Sequence, residues 1–145
     1  VTGTTPKTSD KKNYESSDIN FYKPGDLDKN SIKLLYDSEN YISNYAEKSA
    51  RIVPENSILV TCIGIIGKIG ITTKKSSFNQ QINAIVPNER VIPKYLAYAI
   101  ASIKETMELK ANAPIVPQIN KTSFSSYLLY ILYILPNNFS ILIYY

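Results

Sequence analysis

A chain of 145 residues carries 16 Lys and Arg against 12 Asp and Glu, a formal net charge of +4, no His and a single Cys. That length holds one domain with a real core and is short for two. Without imidazoles or further thiols, a four-ligand zinc site, Ser-His-Asp or Cys-His catalysis and an internal disulfide are all excluded.

Apolar residues make up 44% of the chain, mean hydropathy is -0.13 and the pI is near 9.0, as in a folded, mildly basic protein compatible with a phosphate-rich partner. The opening decapeptide is polar, with no signal peptide legible in it, so a cytoplasmic location is the expectation.

In chain order, residues 1–30 are polar and turn-rich, punctuated by Pro6, Pro24 and Gly25. A short strand is predicted over 19–22, followed by a tight turn at Lys23-Pro24-Gly25-Asp26, with Pro and Gly at its central positions. A second strand is expected over 32–36, and a weak helical pattern over 41–50 with Ser43 as its N-cap. After a turn at 54–57, the β-branched run 58–63 is the strongest strand signal in the chain. Gly64 and Gly67 bracket a turn, and 69–73 is expected to pair back as a hairpin. Residues 74–77 then read as another turn, and 82–86 as a further strand. From here the period changes: Ile92, Leu96, Ala99, Ile100, Ile103 and Met107 build one apolar helical face. Pro93 suits the first helical turn, where its missing N–H is not needed, and Asn112 and Pro114 end the segment. Residues 114–124 read as extended, turn-like chain, and no internal repeat is present.

Every charged side chain lies at or before Lys121, and the tail 127–145 is made of Tyr, Leu and Ile around Pro136-Asn137-Asn138. A membrane-spanning helix takes about 20 uninterrupted apolar residues, and Pro136 breaks this run. The tail reads as two strands joined by a Pro-Asn-Asn turn, as a membrane-associated segment, or as an aberrant, sticky end of uncharged β-prone residues.

Several motifs carry chemistry. Gly64-Ile65-Ile66-Gly67-Lys68 resembles a phosphate loop only in part: Cys62 stands where its first glycine belongs, Ile69 where Ser or Thr would bind magnesium, and the context is strand-turn-strand. It reads as a turn that approaches a phosphate with Lys68, or as a plain hairpin with a solvated lysine. Phe78-Asn79-Gln80-Gln81 sets three amides beside an aromatic. Amide side chains pair bidentately with adenine in the major groove, or satisfy buried backbone groups. The loop Thr4-Thr5-Pro6-Lys7 with Lys11-Lys12 suits phosphate contacts that position without specifying, or is a solvated terminus. Asp26 and Asp28 flank a turn, and no third carboxylate follows at a spacing useful to a metal-dependent nuclease. Twelve tyrosines are more simply core and rim residues than stacking platforms. Cys62 reads as a small buried hydrophobe.

Together these motifs resemble the target recognition domain of type I restriction–modification specificity subunits. The resemblance runs from Thr2-Gly3-Thr4-Thr5-Pro6-Lys7, close to that family's Thr-Gly-Gly-Thr-Pro-Ser opening, through Asp18-Ile19-Asn20-Phe21-Tyr22 and Gly25-Asp26-Leu27. It continues through Val53-Pro54, Ile58-Leu59-Val60-Thr61, Gly64 to Lys68 and Asn79-Gln80-Gln81, and ends at Pro117-Gln118-Ile119-Asn120-Lys121 and Phe124. It implies a non-catalytic, cofactor-free reader of double-stranded DNA. Such a reader docks modification subunits that methylate adenine and a restriction subunit that cleaves, with two domains each reading half of a split target.

Three departures stand out: the short helix that usually precedes the Thr-Gly motif is absent, no long spacer helix follows, and the Tyr/Leu/Ile tail replaces an Ile-Pro-Leu-Pro-Pro-like ending. The expectation is a half-subunit with a recognition domain over 1–126 and an atypical tail over 127–145, possible second partners being another specificity domain or a second copy, and no membrane. The expected fold is α+β: a twisted, mostly antiparallel sheet with a central hairpin and one packed helix. The expected DNA-contact set is Thr5, Lys7, Lys23, Lys68, Lys74, Asn79 and Gln80, lysines holding the backbone and amides reading base edges. The rivals are a truncated fragment acting as a protein-interaction module or recombination remnant, and a metal-dependent nuclease. A methyltransferase is disfavoured, because no Asn-Pro-Pro-Tyr-type motif or glycine-rich cofactor loop is present.

Overall fold

The computed structural model describes residues 1–89, 91–111 and 116–126. The tail 127–145 and the helix stop expected at Asn112 and Pro114 lie outside the described residues. Among the described residues there are eight strands: β1 (Ile19–Tyr22), β2 (Lys33–Leu35), β3 (Tyr41–Ile42), β4 (Ile52–Val53), β5 (Ile58–Thr61), β6 (Ile69–Thr72), β7 (Ser76–Phe78) and β8 (Ile82–Ile85). They are followed by helices α1 (Pro93–Ser102) and α2 (Lys104–Leu109), and two 3-10 helices cover Lys11–Tyr14 and Asn44–Lys48. The fold is α+β.

The single, mostly antiparallel sheet expected from the sequence is corrected to two mixed sheets of four strands. Their orders are β3-β1-β7-β4 and β2-β6-β5-β8. In the first sheet β1 lies parallel to β7, with Tyr22 opposite Phe78; in the second, β2 lies parallel to β6. Parallel neighbours need long crossovers, so no local turn signature announces them. Consecutive strands β5 and β6 pair antiparallel, Val60 opposite Ile69, and β8 pairs antiparallel with the other edge of β5.

Three apolar layers follow from the twofold alternation of strand side chains. Tyr22, Leu35, Leu59, Phe78, Ile82 and Ala84 form one cluster with residues from both sheets. Ile58, Val60, Ile69 and Ile71 point to the opposite face of the second sheet and pack with Leu96, Ile100 and Met107. Ile19, Phe21, Ile42 and Ala46 make a third cluster beyond the first sheet. Both faces of β1, β5, β6 and β8 are therefore buried, which is why 58–60 is continuously apolar rather than alternating. Burying an apolar side chain of this size stabilises by roughly 1.5–3 kcal/mol. A few of these residues thus account for much of a domain's margin.

Local expectations fare unevenly. The strand over 19–22 is present with those bounds, those over 32–36, 58–63, 69–73 and 82–86 are present with shorter ones, and Pro93 opens α1. The helical face breaks at Ile103, whose φ of -105° and ψ of 11° separate α1 from α2. Ile92 sits at the N-cap and is exposed rather than on the buried face. The helix expected over 41–50 is a strand and a short 3-10 turn: Tyr41 and Ile42 pair with β1, and the Ser43 hydroxyl donates to the Lys12 carbonyl instead of capping. The turn expected over 74–77 ends early, because Ser76 and Ser77 enter β7 and are fully buried. Residues 121–126 are helical, not extended, and seat Phe124 in the core.

Candidate nucleic-acid interface

Local chemistry shapes each loop of the candidate site. Gly64 and Gly67 hold φ of 78° and 76°, a region open to glycine and costly for other residues, so the β5–β6 loop turns where the sequence places its glycines. Thr61 seals that loop, its hydroxyl accepting from the Lys68 N–H at 3.0 Å and donating to the Ile65 carbonyl. Between β7 and β8 the side chain of Asn79 closes on itself. Oδ1 accepts from the Gln81 N–H at 3.1 Å and Nδ2 donates to Gln81 Oε1 at 2.9 Å. Asn79 is 6% exposed, so it shapes the turn and leaves Gln80 at its tip.

The N-terminal segment adds to this turn as an extra edge. The N–H of Gly3 donates to the Ile82 carbonyl at 3.0 Å and that of Thr4 to Phe78 at 3.1 Å, while Thr2 bridges to Asn83. The approach is so close that a Cβ on Gly3 would fall 2.1 Å from the Asn79 carbonyl oxygen. Only glycine fits. The chain then delivers Thr5 to Gln80, whose Oε1 accepts the threonine hydroxyl at 2.6 Å. That bond orients the Gln80 amide and leaves its Nε2 as a donor without a partner among the described residues.

Register brings the next cation alongside. Tyr22 stands opposite Phe78 and its carbonyl accepts from the Asn79 N–H, so Lys23 follows β1 at the same sheet end where Asn79 follows β7. The Lys23 ammonium donates to Asn40 Oδ1 at 2.8 Å and lies 5.8 Å from the Phe21 ring centre. Lys68 joins from the β5–β6 loop, its ammonium donating to the Pro24 carbonyl at 2.7 Å. It is half-buried and ties two loops together, rather than projecting freely as the sequence implied. Lys7 is exposed beyond Thr5, where its carbonyl accepts from the Asn13 amide.

Five of the seven residues of the expected contact set thus gather at one end of the first sheet: Thr5, Lys23, Lys68, Asn79 and Gln80. Lys7 lies two residues further along the N-terminal loop. Lys74 does not join them. It precedes β7, at the opposite end from Gln80, and lies 4.0 Å from the exposed Asp37 carboxylate.

The acidic residues of the 23–28 turn serve local structure. Asp26 accepts from the Lys23 and Glu39 N–H groups. Asp28 accepts from the Asn30 and Ser31 N–H groups and pairs with Lys33 at 3.2 Å. The Asn30 bond first, then Lys33 and Ser31, hold the Asp28 carboxyl down at about 2. No group of three or more metal-ligating side chains occurs among the described residues. Cys62 is buried, and desolvation pushes its thiol up to about 11 against the opposing pull of bonds to Asn83.

The structure also brings in a segment that sequence reasoning treated only as the domain's exit. Beyond Thr61, where β8 leaves off pairing with β5, residues 117–119 take over. The Gly64 N–H donates to the Pro117 carbonyl and the Ile119 N–H to Cys62, each at 2.8 Å, with Ile63 bridged to Gln118. Gln118, Asn120 and Lys121 then border a cleft that Gln80 also lines. The Pro-Gln-Ile-Asn-Lys run was visible in the sequence; its pairing partner was not.

Comparison with known proteins identifies the family of the chain. Residues 1–131 match the family model described as type I restriction modification DNA specificity domain. The chain is 30% identical over 131 residues to the type I restriction enzyme HindI specificity subunit of Haemophilus influenzae, covering 86% of this chain and 28% of that protein. It is 25% identical over 131 residues to the EcoprrI specificity subunit of Escherichia coli, covering 88% and 32%. Against the MjaIX specificity subunit of Methanocaldococcus jannaschii it is 34% identical over 98 residues, covering 66% and 22%. The chain thus spans about a third or less of the length of these relatives. A chain from a solved structure, described as the structural basis underlying complex assembly and conformational transition of the type I R-M system, superposes with a TM-score of 0.59. The identity is 14%, over 92% of this chain and 35% of that one, which is a likeness of fold. The chain therefore belongs to the type I restriction modification DNA specificity domain family.

Proposed function

We propose that this chain reads double-stranded DNA sequence for a type I restriction–modification system and is itself non-catalytic. The observation that carries this reading is the convergence of the Thr5–Gln80 pair with Lys23 and Lys68 at one sheet end, in a chain of the specificity-domain family. Gln80 reads a base edge, oriented by Thr5, with Asn79 shaping the turn beneath it. Lys7, Lys23 and Lys68 hold phosphates, the central β5–β6 hairpin carrying Lys68 to the groove, and Lys74 contributes from the far end of β7. Residues 1–126 act as one recognition domain that reads half of a split site. Modification subunits that methylate adenine and a restriction subunit are its partners, with a second specificity domain or a second copy supplying the other half-site. It works in the cytoplasm; among the described residues no helix is long and apolar enough to cross a membrane.

Selection of bound sequences from a random duplex library at two salt concentrations tests this. A short enriched motif of a few base pairs is the expected result. Sequence-blind binding that vanishes with salt refutes specific reading. Cleavage of the duplex on adding a divalent cation refutes the non-catalytic assignment.

A further inference from the structure

The run Pro117-Gln118-Ile119-Asn120-Lys121 lies outside the contact set proposed so far, yet its pairing with residues 62–64 holds it beside Gln80. Between them is a small open cleft of about 160 Å³, lined by Gln80, Gln118, Asn120 and Lys121, with the buried Asn83 and its hydrogen-bond partner Thr2. No carboxylate lines it. Gln118 is exposed, and its amide has no partner among the described residues. Asn120 Oδ1 accepts from the Ser123 N–H, leaving Nδ2 to donate, and Gln80 offers Nε2. Lys121 is exposed and adds a positive charge. The polar groups lie beside Cys62, Ile63 and Ile119, so the cleft pairs apolar wall with several donors, one amide free to donate and accept at once, and no negative charge to attract a cation. It matches a surface that presents an acceptor and a donor side by side next to a phosphate. Adenine in the major groove offers that pair, its N7 accepting and its N6 donating.

We propose that this cleft takes the major-groove edge of an adenine, with Gln118 as a specificity-determining residue and Lys121 holding a neighbouring phosphate. The inference rests on the reading of the chain as a DNA reader. It predicts that the base read by Gln118 lies beside the one read by Gln80, because the two amides line a single cleft.

The test is duplex-library selection with the 145-residue chain and its Gln118→Ala, Gln118→Glu and Lys121→Ala variants. The unsubstituted chain should select a motif containing adenine. Gln118→Ala should lower the preference at one adenine position about tenfold and spare the others. Gln118→Glu, equal in size and exposed, keeps the fold and should shift that same position toward cytosine, whose N4 amino group donates to a carboxylate. Lys121→Ala should weaken binding to all sequences alike and lower the salt slope by about one. A motif that both Gln118 variants leave unchanged at every position overturns the adenine cleft while DNA reading stands. Uniform loss across all positions, at unchanged melting temperature, also overturns it. No motif from the unsubstituted chain overturns both.

Discussion

Gly3→Ala probes the junction on which the candidate interface depends. The new methyl would sit 2.1 Å from the Asn79 carbonyl oxygen, 2.5 Å from that of Phe78 and 2.6 Å from the Phe78 ring. Two of these neighbours are backbone atoms of the β7–β8 turn and the third belongs to a fully buried ring, so none yields as a flexible side chain would. Overpacking of this kind costs about 1–3 kcal/mol. Moving the N-terminal edge away also forfeits the bonds from Gly3 to Ile82 and from Thr4 to Phe78, each worth about 1 kcal/mol net. The sum is about 3–5 kcal/mol, a large share of the roughly 5–15 kcal/mol that holds a domain together. At about 3–4 °C per kcal/mol for a chain of this size, thermal unfolding followed by far-UV circular dichroism should fall by roughly 10–20 °C. If the segment detaches locally instead, the melting temperature moves less, but the Gly3 and Thr4 amides lose their protection from hydrogen exchange. An unchanged melting temperature together with retained protection of both amides would refute the close approach.

Two buried hydroxyls should respond in opposite directions. Tyr22 is fully buried, its hydroxyl donating to the Leu35 carbonyl at 3.0 Å and accepting from the Asn20 amide at 2.7 Å, so Tyr22→Phe should destabilise by about 1–3 kcal/mol in urea unfolding. Ser77 Oγ is buried with no partner among the described residues, so Ser77→Ala removes an unmet hydroxyl and should raise the urea midpoint; a lower midpoint would contradict that assignment. The Cys62 thiol is raised from 9.0 to about 11 by burial. Its stabilising contribution is therefore present below pH 9 and is lost as pH rises toward 11, because the unfolded thiol ionises first. Cys62→Val should flatten that part of the pH–stability profile, and a profile of unchanged slope would count against the assignment. Lys7→Ala should lower the salt slope of DNA binding by about one without altering the selected motif; a changed motif would make Lys7 a base reader.

What the sequence determined alone was short-range. Positive-φ turns fell at Gly64 and Gly67 because few other residues tolerate that backbone, Pro93 opened a helix because it needs no N–H there, and dense β-branching made 58–61 a strand. The order and spacing of the motifs from Thr2 to Lys121 was enough to indicate the family before any contact was known. Tertiary structure decided the rest. Asn20 and Tyr22 look like the polar face of an alternating strand, yet both are buried, because a second sheet covers that face and their polar groups bond each other. The sequence ranked Asn79 and Gln80 as equals; the turn consumed one and exposed the other. Lys68 was expected to point outward, but Pro24, 44 positions earlier in the chain, captured it. Joining Thr5 to Gln80 and residues 117–119 to 62–64 takes pairings across 75 and more than 50 positions. Propensity and periodicity act over a few residues and carry no record of such contacts, which exist only once the two sheets have packed.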